Sequence, residues 1–229
     1  MKNFFAIQQA DRLADLYIFG DITSYPFAEY GEASGMSIEN QIKGLDVDEI
    51  HVHVNSYGGS VPEGWAIYNV LRQHPAKVIA YGDGFVSSAA LYPFLAGDER
   101  IASSLSAYYF HQVMVSAEGY AADLRAAANE AETMTEIGIN AFVERTGMTA
   151  DEVRQLMAGE TWLTPAQALD CGLATSITAD EALPIAQAAK KTIMQRIFAT
   201  NRLAPAPQAP AVPAEEPKPT LQQLIQNMI

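Results

Sequence analysis

The chain has 229 residues, of which 49% are hydrophobic and 18% are charged, so it is long enough for one sizeable domain and a tail. Its net charge of −13 argues against nucleic-acid binding, and no apolar run reaches the length needed to span a membrane. The single cysteine, Cys171, excludes an intrachain disulfide and favours a cytoplasmic location.

The low charged fraction has two interpretations. Either part of the surface is buried against other subunits, or the chain folds around one large alanine-rich core. Cys171 precedes Gly172 at a predicted helix end, a position typical of a small buried residue rather than of a nucleophile.

Strand, turn and helix recur in order along the chain. Strands are predicted at 16–19, 50–54, 78–81 and 108–113, turns at 55–60 and 82–84, and helices at 37–43, 62–72, 121–145 and from residues 88, 149 and 164. This order indicates crossover units around a largely parallel sheet. In such sheets the chemistry gathers at the carboxyl ends of the strands, where both glycine-containing turns are predicted.

We expect a folded domain over residues 14–180, after an N-terminal segment at 1–13 and before a C-terminal helix at 181–202. Residues 203–219 are rich in proline and alanine and predict an extended linker. Residues 220–229 have apolar side chains at helical spacing, which indicates either a docking peptide or a frayed tail.

Ser88 is the candidate nucleophile. Small residues follow it and allow a helix to begin, and a helix N-terminus offers unpaired N–H groups and a dipole that favours an anion. The amide of Ala89 is then a natural oxyanion donor. The alternatives are that Ser87 or Ser88 is only a helix cap, or that Ser87 is the nucleophile.

Two further positions could complete a hydrolytic site. Gly58-Gly59 permits positive φ and exposes backbone N–H groups, which suits a second oxyanion donor at Gly59 or an ordinary turn. His111 could serve as the base that a serine nucleophile needs, although a lone histidine in an apolar strand is more often a core residue.

A third, acidic group should orient the histidine. The candidates are Glu160, Asp151 and Asp123, and the residues alone do not separate them. His51 and His53 have ligand-like spacing, but no cysteine or carboxylate pattern completes it, so we predict no metal. We predict no cofactor either, since no glycine-rich phosphate loop with a lysine is present.

Five segments, in this order, resemble the ClpP family, and most closely its branch of phage and prophage head-maturation peptidases. They are residues 18–22, 54–61, 84–90, 110–112 and 160–164, within a resemblance that covers 14–177. The resemblance implies that Ser88 is the nucleophile and His111 its base, with the amides of Gly59 and Ala89 as oxyanion donors. It places Glu160 where the housekeeping branch has an aspartate.

The resemblance also implies an α/β fold, the crotonase-like ββα superhelix, with a helical handle at 121–145 through which subunits form rings, either heptamers or stacked rings. Three residues depart from the family pattern. Tyr57 replaces a usual proline, Ala90 replaces a frequent glycine, and Pro93 is expected to bend the helix that Ser88 begins.

The function implied is that of a serine endopeptidase that cleaves phage capsid or scaffold proteins during head maturation. The alternatives are a degradative subunit partnered by an ATPase, an acyl-CoA hydratase or isomerase of the same superfold, and a non-catalytic structural ring protein. The segment through which the housekeeping branch docks its ATPase is not identifiable in this sequence.

Overall fold

The computed structural model describes residues 4–23 and 35–178. The strands are β1 Phe4–Ala10, β2 Leu13–Phe19, β3 Glu49–Ser56, β4 Lys77–Ser87, β5 Glu99–Ser103, β6 Ala107–Phe110, β7 Thr161–Leu163 and β8 Ser176–Thr178. The helices are α1 Gly35–Ile42, α2 Val61–Gln73, α3 Leu91–Leu95, α4 Ala121–Thr146, α5 Ala150–Ala158 and α6 Pro165–Asp170, with a 3-10 turn at Ser88–Ala90. The predicted helix at 181–202, the linker at 203–219 and the tail at 220–229 lie outside these residues.

The sheet is largely parallel, as predicted, and its strand order is β1-β2-β3-β4-β5-β8. The hairpin of β1 and β2 is antiparallel, and the remaining pairs along this path are parallel. β4 pairs with β5 through its first half and with β6 through its second half, and β6 pairs antiparallel with β7. The long strand β4 therefore joins two groups of strands and delivers the chain directly to Ser88.

The predicted turn at 82–84 is wrong, because these residues lie inside β4. A Cβ atom at Gly82 would collide with the Tyr108 hydroxyl, and one at Gly84 would lie 2.5 Å from Asn55 Oδ1. The two glycines therefore let neighbouring groups approach the strand closely. Glycine in a strand can mark such a close approach as well as a turn.

Three other boundaries differ from the sequence prediction. The last predicted strand ends at Phe110, so His111 follows the strand instead of lying within it. Pro93 is the third residue of α3, a helix of five residues that follows directly on the 3-10 turn begun by Ser88. The boundary predicted at residue 14 falls inside the β1–β2 hairpin, because Phe4–Ala10 pairs with β2.

The core lies between the helices and one face of the sheet. Along β3, Ile50, Val52 and Val54 are fully buried and alternate with half-exposed residues, so one face of the strand packs inward. α4 contributes to the core only through its second half, where Ile139 and Phe142 are buried. No helix among the described residues is long and apolar enough to cross a membrane.

Candidate active site

Ser88 stands at the junction between β4 and the 3-10 turn, in a strained conformation. Its φ is +56°, a left-handed value that disfavours a residue with a Cβ by about 1–2 kcal/mol. Strain of this kind persists only where the surroundings enforce it, and it concentrates at functional sites. Ala89 and Ala90 behind it are buried, which anchors the turn in the core.

His111 meets Ser88 because β6 runs beside the end of β4. Ser87 pairs with Tyr109 in the strand register, so the residues that follow each strand end up next to one another. His111 Nε2 lies 2.6 Å from Ser88 Oγ. An imidazole at this distance from a hydroxyl is placed to accept its proton.

The Gly58-Gly59 pair packs against the turn that carries Ser88. Both residues have positive φ, +100° and +132°. A Cβ at Gly58 would lie 2.6 Å from Ser87 O and 2.9 Å from Ala89 N, so only glycine lets this backbone touch the turn that carries Ser88.

The N–H of Gly59 takes no part in the pairing of Gly59 with Ile22. Ile22 N–H donates to Gly58 O and Ser60 N–H donates to Ile22 O, each at 2.8 Å. Because these two bonds are made by the residues on either side of Gly59, the N–H of Gly59 points away from Ile22. Gly59 also lines the cleft. Ala89 lines the same cleft, and its N–H lies in the first turn after Ser88, where a helix leaves such groups unpaired. Gly59 and Ala89 are the residues whose amides the sequence predicts as oxyanion donors, and both line the cleft that contains Ser88.

The three candidate acids are not brought to His111. Glu160 is exposed and has φ +47°, and among the described residues it makes no hydrogen bond to His111. Asp123 accepts a hydrogen bond from Tyr120 N–H at the start of α4, and Asp151 pairs with Arg154. Burial raises the pKa of the Tyr109 phenol, and the charge of the nearby Glu160 raises it further.

A row of contacting aromatic rings, not anticipated from the sequence, runs from Tyr57, next to the glycine pair, to His111; three of its contacts are stacked and that of Phe85 with Trp162 is edge-to-face. The ring centroids are 4.8 Å apart for Tyr57 and Phe85, 5.7 Å for Phe85 and Trp162, 4.5 Å for Trp162 and Tyr109, and 5.4 Å for Tyr109 and His111. The strand pairing of β6 with β7 places Tyr109 opposite Trp162. The alternation of β6 could have indicated that Tyr109 faces outward, but not which rings it would meet.

The cleft that contains Ser88 and His111 has a volume of about 290 Å³. Its apolar floor comes from Leu91, Tyr92, Phe142 and Met157. Such a groove, with one hydroxyl–imidazole pair and two backbone donors, is suited to acyl transfer from an extended chain.

The remaining described histidines lie elsewhere. His74 Nδ1 accepts a hydrogen bond from Ala76 N–H after α2. His51 and His53 lie with Asp15 on the face of β2 and β3 opposite the core, and this is the group with metal-ligand spacing among residues 4–23 and 35–178. Cys171 is buried beyond α6, as predicted, with Sγ 3.5 Å from Ala168 O.

Comparison with known proteins identifies relatives of this chain. The Clp protease family model matches residues 37–181. The ATP-dependent Clp protease proteolytic subunit 2 of Treponema pallidum is 35% identical over 131 residues, which cover 56% of this chain and 65% of that protein. The subunit of the same name from Pseudomonas aeruginosa is 31% identical over 136 residues, which cover 58% of this chain and 68% of the relative.

The chain spans slightly less than two thirds of the Treponema pallidum relative and 66% of one from Synechococcus. Among solved structures, a ClpP1 mutant from Listeria monocytogenes superposes with a TM-score of 0.61 at 23% identity, over 73% of this chain and 92% of that one. This likeness confirms the expected ClpP-like α/β fold. Because the family model matches more than half of its length, the chain belongs to the Clp protease family.

Proposed function

We propose that the chain is a serine endopeptidase with Ser88 as nucleophile and His111 as general base. The observation that carries the proposal is the 2.6 Å approach of His111 Nε2 to Ser88 Oγ, at a serine held in a strained conformation. A hydroxyl is a weak nucleophile until an adjacent base takes its proton, and this contact supplies the base. The names of the relatives, proteolytic subunits of Clp proteases, agree with hydrolysis of peptide bonds.

The chemistry follows from the groups around Ser88. Its oxygen attacks the peptide carbonyl while Nε2 of His111 takes the hydroxyl proton, and the N–H groups of Gly59 and Ala89 hold the oxyanion. The protonated imidazole then donates to the leaving amine. Water, deprotonated by His111, then attacks the acyl carbonyl. The acyl product leaves as a carboxylic acid, and His111 returns the proton to the Ser88 oxygen. No cofactor takes part in these steps.

Glu160 is proposed as the residue that orients His111. It is linked to His111 through the Tyr109 ring, which feels the Glu160 charge and stacks on the imidazole. For a direct contact with Nδ1, the exposed Glu160 side chain would have to turn toward the ring, and docking of a neighbouring subunit or of substrate could supply that movement.

The working form is proposed to be a homo-oligomeric ring, a heptamer or a pair of stacked rings. The first half of α4 supports this, because it stands clear of the core and exposes Leu124 by 48% of its surface. Met114 and Tyr120, just before α4, are exposed by 84% and 87%. Exposed apolar side chains in one stretch are typical of a surface that another subunit covers.

The substrate class is proposed to be capsid or scaffold protein of an assembling phage particle, with the peptidase in the cytoplasm or inside that particle. The Glu160-Thr161-Trp162 pattern supports this reading, and Trp162 lies in the aromatic row beside the site. The names of the relatives support the alternative, a degradative subunit driven by an ATPase. Proteolysis of a co-expressed capsid protein without ATP would favour the first, and stimulation by an unfoldase and ATP would favour the second.

The catalytic assignment is tested by labelling the full chain with a fluorophosphonate probe and mapping the adduct by peptide mass spectrometry. We expect the adduct on Ser88, with labelling lost in His111→Ala and retained in Ser87→Ala. An adduct on Ser87 would move the nucleophile by one residue. A folded oligomer that takes no label and cleaves no peptide would favour a structural ring protein, and turnover of an enoyl-CoA in its place would favour the hydratase class.

A further inference from the structure

Two histidines and an aspartate converge on the outer face of the sheet, where the proposed peptidase chemistry does not use them. Strand pairing places Asp15 of β2 directly opposite His51 of β3, and His53 follows on the same face. The Asp15 Oδ1 atom lies 3.4 Å from His51 Nδ1 and 3.9 Å from His53 Nε2. One donor atom from each of the three residues falls within 4.8 Å of the others.

The far nitrogens of both rings meet further carboxylates. His53 Nδ1 lies 2.7 Å from Asp83 Oδ2, and because a carboxylate only accepts, Nδ1 carries the proton and the lone pair of the neutral ring falls on Nε2. His51 Nε2 lies 3.5 Å from Glu49 Oε2, which leaves Nδ1 facing Asp15. Carboxylates in this outer position fix the tautomer and ring orientation of metal-binding histidines.

Stacking holds the His53 ring in place. It is sandwiched between Tyr17 and Tyr81, with centroid distances of 4.8 and 4.7 Å and interplanar angles of 14° and 7°. The His51 ring contacts Tyr81 edge-on at 5.5 Å. Donor atoms fixed in this way lose little freedom on binding a ligand, which favours affinity.

The charge balance of the cluster also favours a cation. Asp15, Glu49 and Asp83 surround the two imidazoles, and within residues 4–23 and 35–178 their salt bridges are to His51 and His53 rather than to lysine or arginine. Lys77 lies opposite Glu49 in the strand register and interacts with its charge, but three carboxylates beside one lysine still leave a negative site that a divalent ion would neutralise.

We propose that Asp15, His51 and His53 form a binding site for a divalent transition-metal ion, with Zn²⁺ as the best match. Bonds of about 2.1 Å in a tetrahedron place donor atoms about 3.4 Å apart, so donor atoms that now lie within 4.8 Å of one another must close by up to about 1.4 Å. Two imidazole nitrogens and one carboxylate oxygen suit zinc, whereas magnesium and calcium prefer oxygen alone. The bound ion ties β2 to β3.

Calorimetric titration of the full chain with ZnCl₂ tests the site. We expect one ion per chain, no comparable heat with MgCl₂, and loss of the site in His53→Ala and Asp15→Asn. Asp83→Asn keeps all three ligands but removes the outer carboxylate, so it should weaken binding by about tenfold. Asp11→Asn and His74→Ala are matched controls that change no cluster residue, and His111→Ala separates this site from the cleft; all three should bind zinc like the unaltered chain.

A second measurement follows thermal stability instead of the heat of binding. Zn²⁺ that binds only the folded chain must raise its melting temperature, and the rise should vanish in His53→Ala at the same zinc concentration. Zinc binding that survives unchanged in both Asp15→Asn and His53→Ala would overturn the proposal, and so would the absence of zinc binding to the unaltered chain. Either result would make the cluster a set of histidine–carboxylate contacts that only packs the sheet face.

Discussion

At the scale of single residues, Ser88 combines the demands of folding and chemistry in one backbone conformation. Its left-handed φ lifts the hydroxyl out of the strand line of β4 and toward His111 Nε2. A residue with a Cβ resists this conformation, and the tight contact with Gly58 enforces it. The backbone conformation that brings the Ser88 hydroxyl to His111 therefore lowers the stability of the fold.

Replacing Ser88 by glycine should expose this strain. Ser88→Gly and Ser88→Ala both lose the hydroxyl that meets His111, but only glycine adopts φ +56° without a steric penalty. We expect Ser88→Gly to be about 1 kcal/mol more stable than Ser88→Ala, measured by the free energy of unfolding in urea. Equal stability of the two variants would show that the turn relaxes around Ser88 and stores no strain.

Glu160 should matter to the rate and not to the fold. Because its side chain is exposed and makes no hydrogen bond among the described residues, Glu160→Gln should leave the melting temperature unchanged. If Glu160 turns to orient His111, kcat/KM on a fluorogenic peptide should fall by about 100-fold, with most activity kept in Glu160→Asp. An unaltered rate in Glu160→Gln would instead assign the orientation of His111 to stacking on Tyr109.

At the scale of elements, Arg100 in β5 joins the C-terminal ends of three helices. Its side chain donates to Gly97 O at 2.9 Å after α3, to Arg145 O at 3.1 Å in α4, and to Gly172 O and Leu173 O at 3.1 and 2.7 Å after α6. Arg100 is only 5% exposed, and burial, followed by the charge of Arg145, lowers the pKa of its guanidinium to about 10. A cation at helix C-termini also complements their dipoles.

Arg100→Lys should therefore destabilise the domain despite conserving charge. A single ammonium group cannot reach carbonyls on three sides, and each carbonyl left unpaired in the interior costs free energy. We expect a loss of about 3 kcal/mol in the free energy of unfolding. Arg125→Lys is the control, because Arg125 is exposed and bonds only its own helix, and it should change stability by less than about 0.5 kcal/mol. Similar effects of the two changes would contradict the bridging role.

At the scale of the whole molecule, α4 is an arm that is attached to the core at one end. Its second half packs through Ile139 and Phe142, while Leu124 and Ile137 are 48% and 52% exposed. A helix that keeps apolar residues in solvent implies a second surface that covers them. The ring proposed for this family member is the natural source of that surface.

Ile137→Glu should lower the oligomeric state while the subunit stays folded. The change places a charge at an exposed position, so it disturbs the isolated domain little, but in an interface it would be buried without a partner. Sedimentation velocity should show smaller particles with an unchanged circular dichroism spectrum. As a control, Leu105→Glu places the same charge at an exposed apolar residue in the β5–β6 turn and should leave the oligomer intact. If the two variants form particles of the same size, α4 is not part of the interface.

Local patterns in the sequence predicted most of the elements, and they failed where distant residues decide the structure. The alternation of Ile50, Val52 and Val54 was enough to predict β3, whereas the close approach of Tyr108 to Gly82 inside β4 is a contact that local sequence does not reveal. The pair of Ser88 and His111 could be predicted as candidates from the need of a serine for a base. Asp15 could not be joined to His51, because that contact depends on strand register.

The aromatic row gives the protein a built-in optical reporter. Trp162 is one of only two tryptophans, and its ring stacks on Tyr109, which in turn stacks on His111. Because indole emission responds to contacts at the ring face, a peptide that settles beside His111 should shift or quench it. With Trp65→Phe, Trp162 becomes the sole emitter, and stopped-flow fluorescence could then follow substrate arrival in unlabelled protein, before any bond is cut.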